Sequence, residues 1–207
     1  MKFRNAVIPL ITINIVAFIL QIVLGSSFTE SFMLISSDIL VRPWILLTSM
    51  FLHGGLAHLF FNMYILFMFG SLLESRIGAK RFLFLYFISG IVAALAASFF
   101  YPRALGASGA IYGILGMLII IVPELKVSPL FLPIAMPLWQ VLVLFAFLDF
   151  FVFSHIAVAA HLAGAVFGLI YAKIIRKEKK TFNVKFNSNK THMNERDIEE
   201  YLRKGRL

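Results

Sequence analysis

The chain has 207 residues, of which 60% are hydrophobic and 14% are charged, and its formal net charge is +9. Soluble domains average about 25% charged residues, so this composition excludes an ordinary water-soluble protein and indicates one helical domain in a membrane. The chain contains no cysteine, which excludes disulfides, thiolate nucleophiles and cysteine-ligated metal sites.

Six apolar segments predict an all-α, polytopic membrane protein with six transmembrane helices. A spanning helix needs about 20 mostly apolar residues. The segment that begins at Ala6 is too long for a signal-peptide core, and no small-residue cleavage site follows it, so we predict an uncleaved span. The fourth segment is too short to cross the hydrocarbon layer, so its N-terminus should start inside the membrane under the cover of protein. The segments are 6–24, 56–73, 82–100, 108–122, 138–153 and 156–175.

Composition divides the chain into a membrane domain, 1–175, and a basic cytoplasmic tail, 176–207. Within the domain, the first loop (26–55) carries two apolar runs, 32–35 and 44–47, that are too short to cross a bilayer. They predict short helices lying in the membrane interface. The tail is expected to be solvated and to help set the topology, with a contact to lipid or to a partner as the alternative.

The basic residues predict the orientation of the chain. On the six-span scheme, all of the 19 Lys and Arg residues except Arg42 and Arg103 fall on one side. The positive-inside rule makes that side cytoplasmic and places both termini there, in a multi-pass protein of the cell (plasma or inner) membrane. This distribution accounts for the positive charge through anionic lipid headgroups, without nucleic acid as a partner.

A serine and a histidine stand at matching places in two spans, where polar side chains are costly and often mark function. Ser108 opens the fourth span, His161 lies in the sixth, and each is followed by two glycines that are four residues apart. Such glycine faces let two helices approach closely, which would bring a nucleophile to its base. Simple helix packing and a hydrogen bond from the histidine to a carbonyl are the alternatives. The glycines are Gly109 with Gly113 and Gly164 with Gly168.

Three further side chains complete the candidate group. His58 and Asn62 are four residues apart in the second span, so they share one helix face and could donate together to a developing oxyanion. Interhelical hydrogen bonds are the alternative for this pair. Tyr112 lies one turn after Ser108 and could pack on His161 to orient it, or serve as a plain core aromatic. The histidines lack carboxylate neighbours at ligand spacing, so no metal site is predicted.

These motifs resemble the rhomboid family of intramembrane serine proteases, and the likeness covers about 43–172. The family's three motifs occur in their order and on the expected spans. They are His-x-x-x-Asn at 58–62, Gly-x-Ser-Gly at 106–109 with Tyr112 four residues after the serine, and Ala-His-x-x-Gly-x-x-x-Gly at 160–168.

The resemblance implies a six-helix rhomboid-like bundle that cuts single-span transmembrane proteins in the bilayer. Ser108 would attack the scissile carbonyl, and His161 would act as base and then as acid in a dyad without a carboxylate. His58, Asn62 and the Ser108 N–H would hold the oxyanion. No cofactor is needed for this chemistry.

Two positions of the first loop also bear on the resemblance. His53 resembles a family position that is expected to be structural. The family often has Trp-Arg in this loop, whereas Trp44 is followed here by Ile45, and Arg42 is a candidate for a partial substitute. The departure concerns the anchoring of the loop and not the chemistry.

Two other functions remain open from the sequence. A proteolytically silent relative would bind transmembrane helices without cutting them, although such relatives usually lose the serine or the histidine. A transporter or channel would use the polar residues as a pathway, but no inverted repeat is visible, and Asp149 is the only acidic residue inside a predicted span. The sequence predicts no particular oligomeric state or cleavage sequence.

Overall fold

The computed structural model describes residues 5–128, 134–151 and 158–188, and it describes the side chains of all of these except 148–151 and 178–188. Within that part of the chain, four helices are long and apolar enough to cross a membrane, and two shorter apolar helices accompany them. The six follow the order of the predicted spans, so the all-α membrane class is confirmed. They are 7–24, 56–77, 79–100, 108–121, 138–151 and 158–188.

The helices of the spans are numbered with the short helices of the loops in chain order. Residues 66–70 form a π-helical turn that joins α4 to α5 within one continuous span. The helices are α1 (Val7–Leu24), α2 (Ser26–Phe32), α3 (Ile45–Thr48), α4 (Leu56–Ile65), α5 (Ser71–Ile77), α6 (Ala79–Phe100), α7 (Ser108–Ile121), α8 (Leu138–Phe151) and α9 (Val158–Ser188).

The first loop differs in part from the prediction. The second apolar run does form a helix, α3, followed by a 3₁₀ turn at Ser49–Phe51. The first run does not, because α2 ends at Phe32 and Leu34–Ile35 forms the short strand β1. That strand pairs antiparallel with β2 (Arg103–Ala104), and the backbone pairing satisfies polar groups that an apolar helix would have satisfied internally.

The second span is longer than predicted, and the added turn contains an acidic residue. Helix α5 continues to Ile77 and brings Glu74 inside the span, where it is buried. Its carboxylate accepts hydrogen bonds from the backbone N–H groups of Ala6 (2.7 Å) and Val7 (3.3 Å). These donors lie at the N-terminus of α1, on its N-cap residue and its first residue, where backbone N–H groups have no intrahelical acceptor. The expectation that Asp149 is the only acidic residue inside a span is therefore wrong.

Helix α7 is the centre of the bundle. It has 14 residues, and every residue from Gly109 to Leu118 is buried, mainly between α6 and α9. This agrees with the prediction that a span too short to cross the bilayer starts inside it, shielded by protein.

The end of α9 lies beyond the predicted end of the membrane domain. The helix runs from Val158 through position 175 to Ser188 without a break, so the boundary predicted there is one of composition and not of secondary structure. A second short strand pair, β3 (Lys126–Val127) with β4 (Met136–Pro137), precedes α8. The last residues of the predicted fifth span, the start of the sixth and the tail from 189 onward lie outside the described residues.

Candidate active site

Ser108 is the first residue of α7, and the backbone before it has a conformation that favours glycine. Gly106 has φ 128°, a region that L side chains rarely adopt. A Cβ at this position would also lie 2.8 Å from Cε1 and 3.0 Å from Nε2 of His58, and 3.7 Å from Oγ of Ser108. The Gly106 N–H donates to the Ser49 carbonyl at 2.9 Å. Glycine therefore leaves the His58 ring and the Ser108 hydroxyl facing one small volume, and the first loop holds that segment in place.

His161 on α9 lies against Ser108. Its Nε2 is 2.7 Å from the Ser108 Oγ, and the imidazole is 5% exposed. An imidazole nitrogen at this distance can take the hydroxyl proton, which is how a weak serine nucleophile becomes reactive.

Backbone contact between α7 and α9 brings these two side chains together. A Cβ on Gly164 would overlap the carbonyl oxygen of Gly109, and a Cβ on Gly168 would overlap that of Gly113. The two helices therefore meet backbone to backbone, as glycine pairs permit. We call this contact the α7–α9 seam, and it is the close approach that the glycine spacing predicts.

Tyr112 lies on the face of α7 that carries Ser108. Its ring stacks on the His161 imidazole with centroids 4.3 Å apart and an interplanar angle of 12°. Both rings are buried, so the contact restricts the orientation of the imidazole. The structure thus places Tyr112 where an orienter of His161 would have to be.

His58 and Asn62 share a face of α4, as their spacing predicts. Asn62 is 5% exposed, and among the described residues none accepts a hydrogen bond from its Nδ2. His58 receives a hydrogen bond on Nδ1 from the Gly54 N–H at 3.3 Å. A buried amide donor without an acceptor is costly in a folded protein and calls for an explanation.

His53 of the first loop packs on His58. The two imidazole rings meet edge to face with centroids 5.1 Å apart, and His53 is 2% exposed. Burial, and next the neighbouring His58, lower the pKa of the His53 imidazole to about 3. His53 is therefore neutral at physiological pH and packs as an uncharged ring beside His58.

The first loop is anchored by two different means at the positions that depart from the family pattern. Ile45 is fully buried in a cluster that includes Leu34 of the loop and alanines of α6. Arg42 pairs with the Asp38 carboxylate and donates to the Glu30 carbonyl at 3.2 Å. Arg42 therefore fastens the loop from within, while Ile45 fixes it to the helices by apolar burial.

Sequence reasoning missed one polar side chain beside the site. Gln21 on α1 accepts a hydrogen bond from the His53 N–H at 2.9 Å and donates to the His53 carbonyl at 3.2 Å. A glutamine in an otherwise apolar run carries a signal, because polar groups in spans are costly. Its partner is 32 positions away, and no local pattern indicates it.

The sequence matches a family model described as the Rhomboid domain over residues 41–178. The chain is 31% identical over 193 residues to the Rhomboid protein 1, mitochondrial, of Saccharomyces cerevisiae, covering 84% of this chain and 54% of the relative. It is 41% identical over 109 residues to the Rhomboid protease GluP of Bacillus subtilis, covering 49% and 21% respectively.

A third relative is matched along more of its own length. The chain is 34% identical over 139 residues to the rhomboid relative YdcA of Bacillus subtilis, covering 66% of this chain and 69% of the relative. By contrast, the chain spans about half the length of the yeast relative and about a fifth of GluP. The match to the family model includes the whole segment from α3 to the seam, so the chain belongs to the rhomboid family.

Proposed function

We propose that this protein is an intramembrane serine endopeptidase that hydrolyses peptide bonds in or near transmembrane segments. The observation that carries the proposal is the distance of 2.7 Å between the Ser108 Oγ and the His161 Nε2. The names of relatives such as the Rhomboid protease GluP support the same class of reaction.

The proposed reaction proceeds through an acyl-enzyme. The Ser108 Oγ attacks the scissile carbonyl while its proton passes to the His161 Nε2, and the proton then goes to the leaving amine. Water then attacks the ester carbonyl as it gives a proton to His161, and His161 passes that proton to the Ser108 Oγ as the ester breaks and the acid product leaves. This sequence of proton transfers needs only the dyad, the substrate and water, and the proposed mechanism calls on no metal or cofactor.

Three donors would stabilise the tetrahedral intermediate in this mechanism. We assign His58, Asn62 and the Ser108 backbone N–H to the oxyanion. The Ser108 N–H lies in the first turn of α7, where N–H groups have no intrahelical acceptor and the helix dipole favours negative charge. The amide of Asn62 has no acceptor among the described residues, which is the state expected of a donor reserved for substrate.

The dyad has no carboxylate in the proposal, and Tyr112 takes over the orientation of His161. Stacking at 4.3 Å keeps the imidazole plane aligned so that Nε2 faces the hydroxyl. The glycines at 106, 109, 164 and 168 support the site by letting the backbones approach.

The substrates we propose are single-span membrane proteins. Peptide-bond attack requires an extended backbone, and transmembrane helices with small or helix-breaking residues near the interface unwind most readily. The excess of Lys and Arg on one side of the six-span scheme drawn from the sequence supports cytoplasmic termini and residence in a cell membrane, with the bilayer as the partner of the apolar helix faces.

The test uses purified protein in detergent and a fluorophosphonate probe, with Ser108→Ala and His161→Ala as controls. We expect labelling of the wild type alone, with all three proteins showing the same helical content and thermal midpoint. Folded wild type that takes no label would favour the silent helix-binding relative. Label retained in Ser108→Ala would overturn the assignment of the nucleophile.

A further inference from the structure

The proposed role of His58 as an oxyanion donor requires one tautomer of its ring. A neutral imidazole carries a single N–H, and which nitrogen carries it depends on the partner of the other. Nε2 is the nitrogen that faces Gly106 and the Ser108 side, since a Cβ on Gly106 would lie 3.0 Å from it. Nδ1 faces the Gly54 N–H at 3.3 Å. Because Gly54 donates, Nδ1 must be the acceptor and the proton must be on Nε2.

The N–H that selects this tautomer belongs to the peptide unit between His53 and Gly54. The carbonyl of the same unit accepts a hydrogen bond from the Gln21 Nε2 at 3.2 Å. A peptide unit is planar and trans, so its C=O and N–H point in opposite directions. Holding the oxygen toward Gln21 therefore holds the N–H toward His58.

Gln21 holds the backbone of His53 on both sides of its Cα, at the carbonyl of this peptide and at the N–H of the preceding one. The His53 N–H also donates to the Gln21 Oε1 at 2.9 Å, which requires the amide oxygen at that place and so leaves the NH₂ group for the His53 carbonyl. The second amide hydrogen has the Thr29 hydroxyl as its partner at 3.2 Å. All of the polar groups of this side chain are engaged, and two of its three bonds hold the backbone of His53.

We call the two hydrogen bonds between Gln21 and the His53 backbone the Gln21 clamp. Without this clamp, the His53–Gly54 peptide could flip. Glycine at position 54 offers little steric resistance to a change of φ, and Gln21, His53 and Gly54 all border an open cavity of about 410 Å³ between α1 and the first loop. A reversed peptide would present a carbonyl to His58 Nδ1. The ring would then place its proton on Nδ1, and Nε2 would have no hydrogen to donate to the oxyanion.

We propose that Gln21 is a positioning residue that holds His58 in its Nε2–H tautomer through the His53–Gly54 peptide. The inference rests on the proposed function of the site, since it deepens the role of His58 there. It adds a residue of α1 to a site otherwise built from α4, α7 and α9.

The first experiment measures the covalent modification of Ser108 by a fluorophosphonate, resolved into a maximal rate, kinact, and a binding constant, KI. Gln21→Leu keeps the approximate size of the side chain and removes the clamp. We expect kinact to fall about tenfold, short of the ~10²–10³ lost when an oxyanion donor is removed outright, with KI unchanged. The matched control is Thr29→Val, which removes the third bond of Gln21 but leaves the clamp, and it should react like the wild type.

Two further variants separate tautomer selection from a general structural effect. In a His58→Ala background, Gln21→Leu should change kinact no further, because its effect passes through His58. An equal loss in both backgrounds would overturn the proposal. If Gln21→Leu fails to fold, Gln21→Glu provides the test, because the ionised carboxylate still accepts from the His53 N–H but cannot donate to its carbonyl.

A second measurement does not depend on activity. Ring ¹⁵N chemical shifts of ¹⁵N-histidine-labelled protein in detergent report the tautomer, and the His58→Ala spectrum identifies the His58 signals. We expect the Nε2–H form in the wild type and a mixed or Nδ1–H form in Gln21→Leu. The Nε2–H form in both would overturn this inference alone, whereas unlabelled wild type with the expected tautomers would contradict only the proposed protease function.

Discussion

The two halves of the candidate site are held by different forces. The α7–α9 seam, which carries Ser108 and His161, is a continuous contact of helix backbones in which a Cβ on Gly164 would overlap a carbonyl. The proposed oxyanion side comprises His58 and Asn62, and its His58 ring is held by separate hydrogen bonds that involve the first loop and α1. Close-packed backbones tolerate no added volume, whereas a hydrogen-bonded loop can lose one bond and keep its fold. Substitutions in the seam should therefore abolish labelling and lower stability together. Substitutions on the proposed oxyanion side should reduce labelling one donor at a time.

The largest effect should come from adding volume to the seam. In Gly164→Val, the new side chain would meet the Gly109 carbonyl, and overpacking of a rigid contact costs about 1–3 kcal/mol or more. We expect fluorophosphonate labelling to fall to background and the thermal midpoint to drop. The matched control is Gly55→Ala, where a Cβ would have nothing within 4 Å. A seam variant that keeps both full labelling and wild-type stability would remove the basis of the comparison.

On the oxyanion side, we expect a loss of rate without a loss of stability. Asn62→Ala removes a buried amide whose Nδ2 has no acceptor among the described residues, so the folded state loses little. The maximal rate of probe labelling should fall about 10²–10³-fold, as for other oxyanion donors, with an unchanged thermal midpoint. Tyr64→Phe on the exposed part of the same helix is the control and should match the wild type. A drop in stability that accounts for the lost rate would assign Asn62 to packing instead.

Acid should lower the stability of the folded protein through His53. Its pKa in the folded protein is about 3, below the ~6.5 of an unfolded chain, so the unfolded state binds the proton more readily. The resulting loss of unfolding free energy is small above about pH 6.5 and grows as the pH falls toward 3. At pH 5 it reaches about 2 kcal/mol.

The matched variant for this effect is His53→Asn, which keeps the backbone bonds to Gln21. Thermal unfolding of both proteins at pH 7 and pH 5 should show a larger acid shift in the wild type. Equal shifts in the two proteins would mean that other groups carry the acid sensitivity.

The smallest effect should come from the ion pairs of the first loop. Arg42 and Asp38 are partly exposed, and such pairs contribute about 0–1 kcal/mol. Arg42→Gln should therefore lower stability only slightly. The difference in thermal midpoint between this variant and the wild type should become smaller still in high salt. Arg103→Gln removes the more exposed pair with Glu30 and should have a still smaller effect. A large loss from Arg42→Gln would show that its bond to the Glu30 carbonyl anchors the whole loop.

Much of the candidate site could be predicted from the sequence because its determinants are local. The four-residue spacing of His58 and Asn62 places them on one helix face. The glycines that follow Ser108 and His161 predict the close approach at which the structure finds the two side chains. The short fourth span likewise predicts a buried helix start, and α7 has that position.

The contacts missed from the sequence join residues far apart in the chain. Glu74 caps α1 across more than 60 positions, and the end of the first apolar run, Leu34–Ile35, forms a strand because β2 is available to pair with it. In both cases a backbone group needed a partner, and the partner was supplied by tertiary structure. Neither the apolar period nor a local motif contains that information.

The sequence by itself determined the membrane class, the order of the spans and the family, since hydrophobic length and motif spacing are properties of the chain alone. Only the tertiary structure decided how the first loop and α1 reach the site. The peptide before Gly54 faces His58 because a side chain from another helix holds its carbonyl. The direction of a single peptide N–H depends on three-dimensional packing and leaves no trace in composition or period.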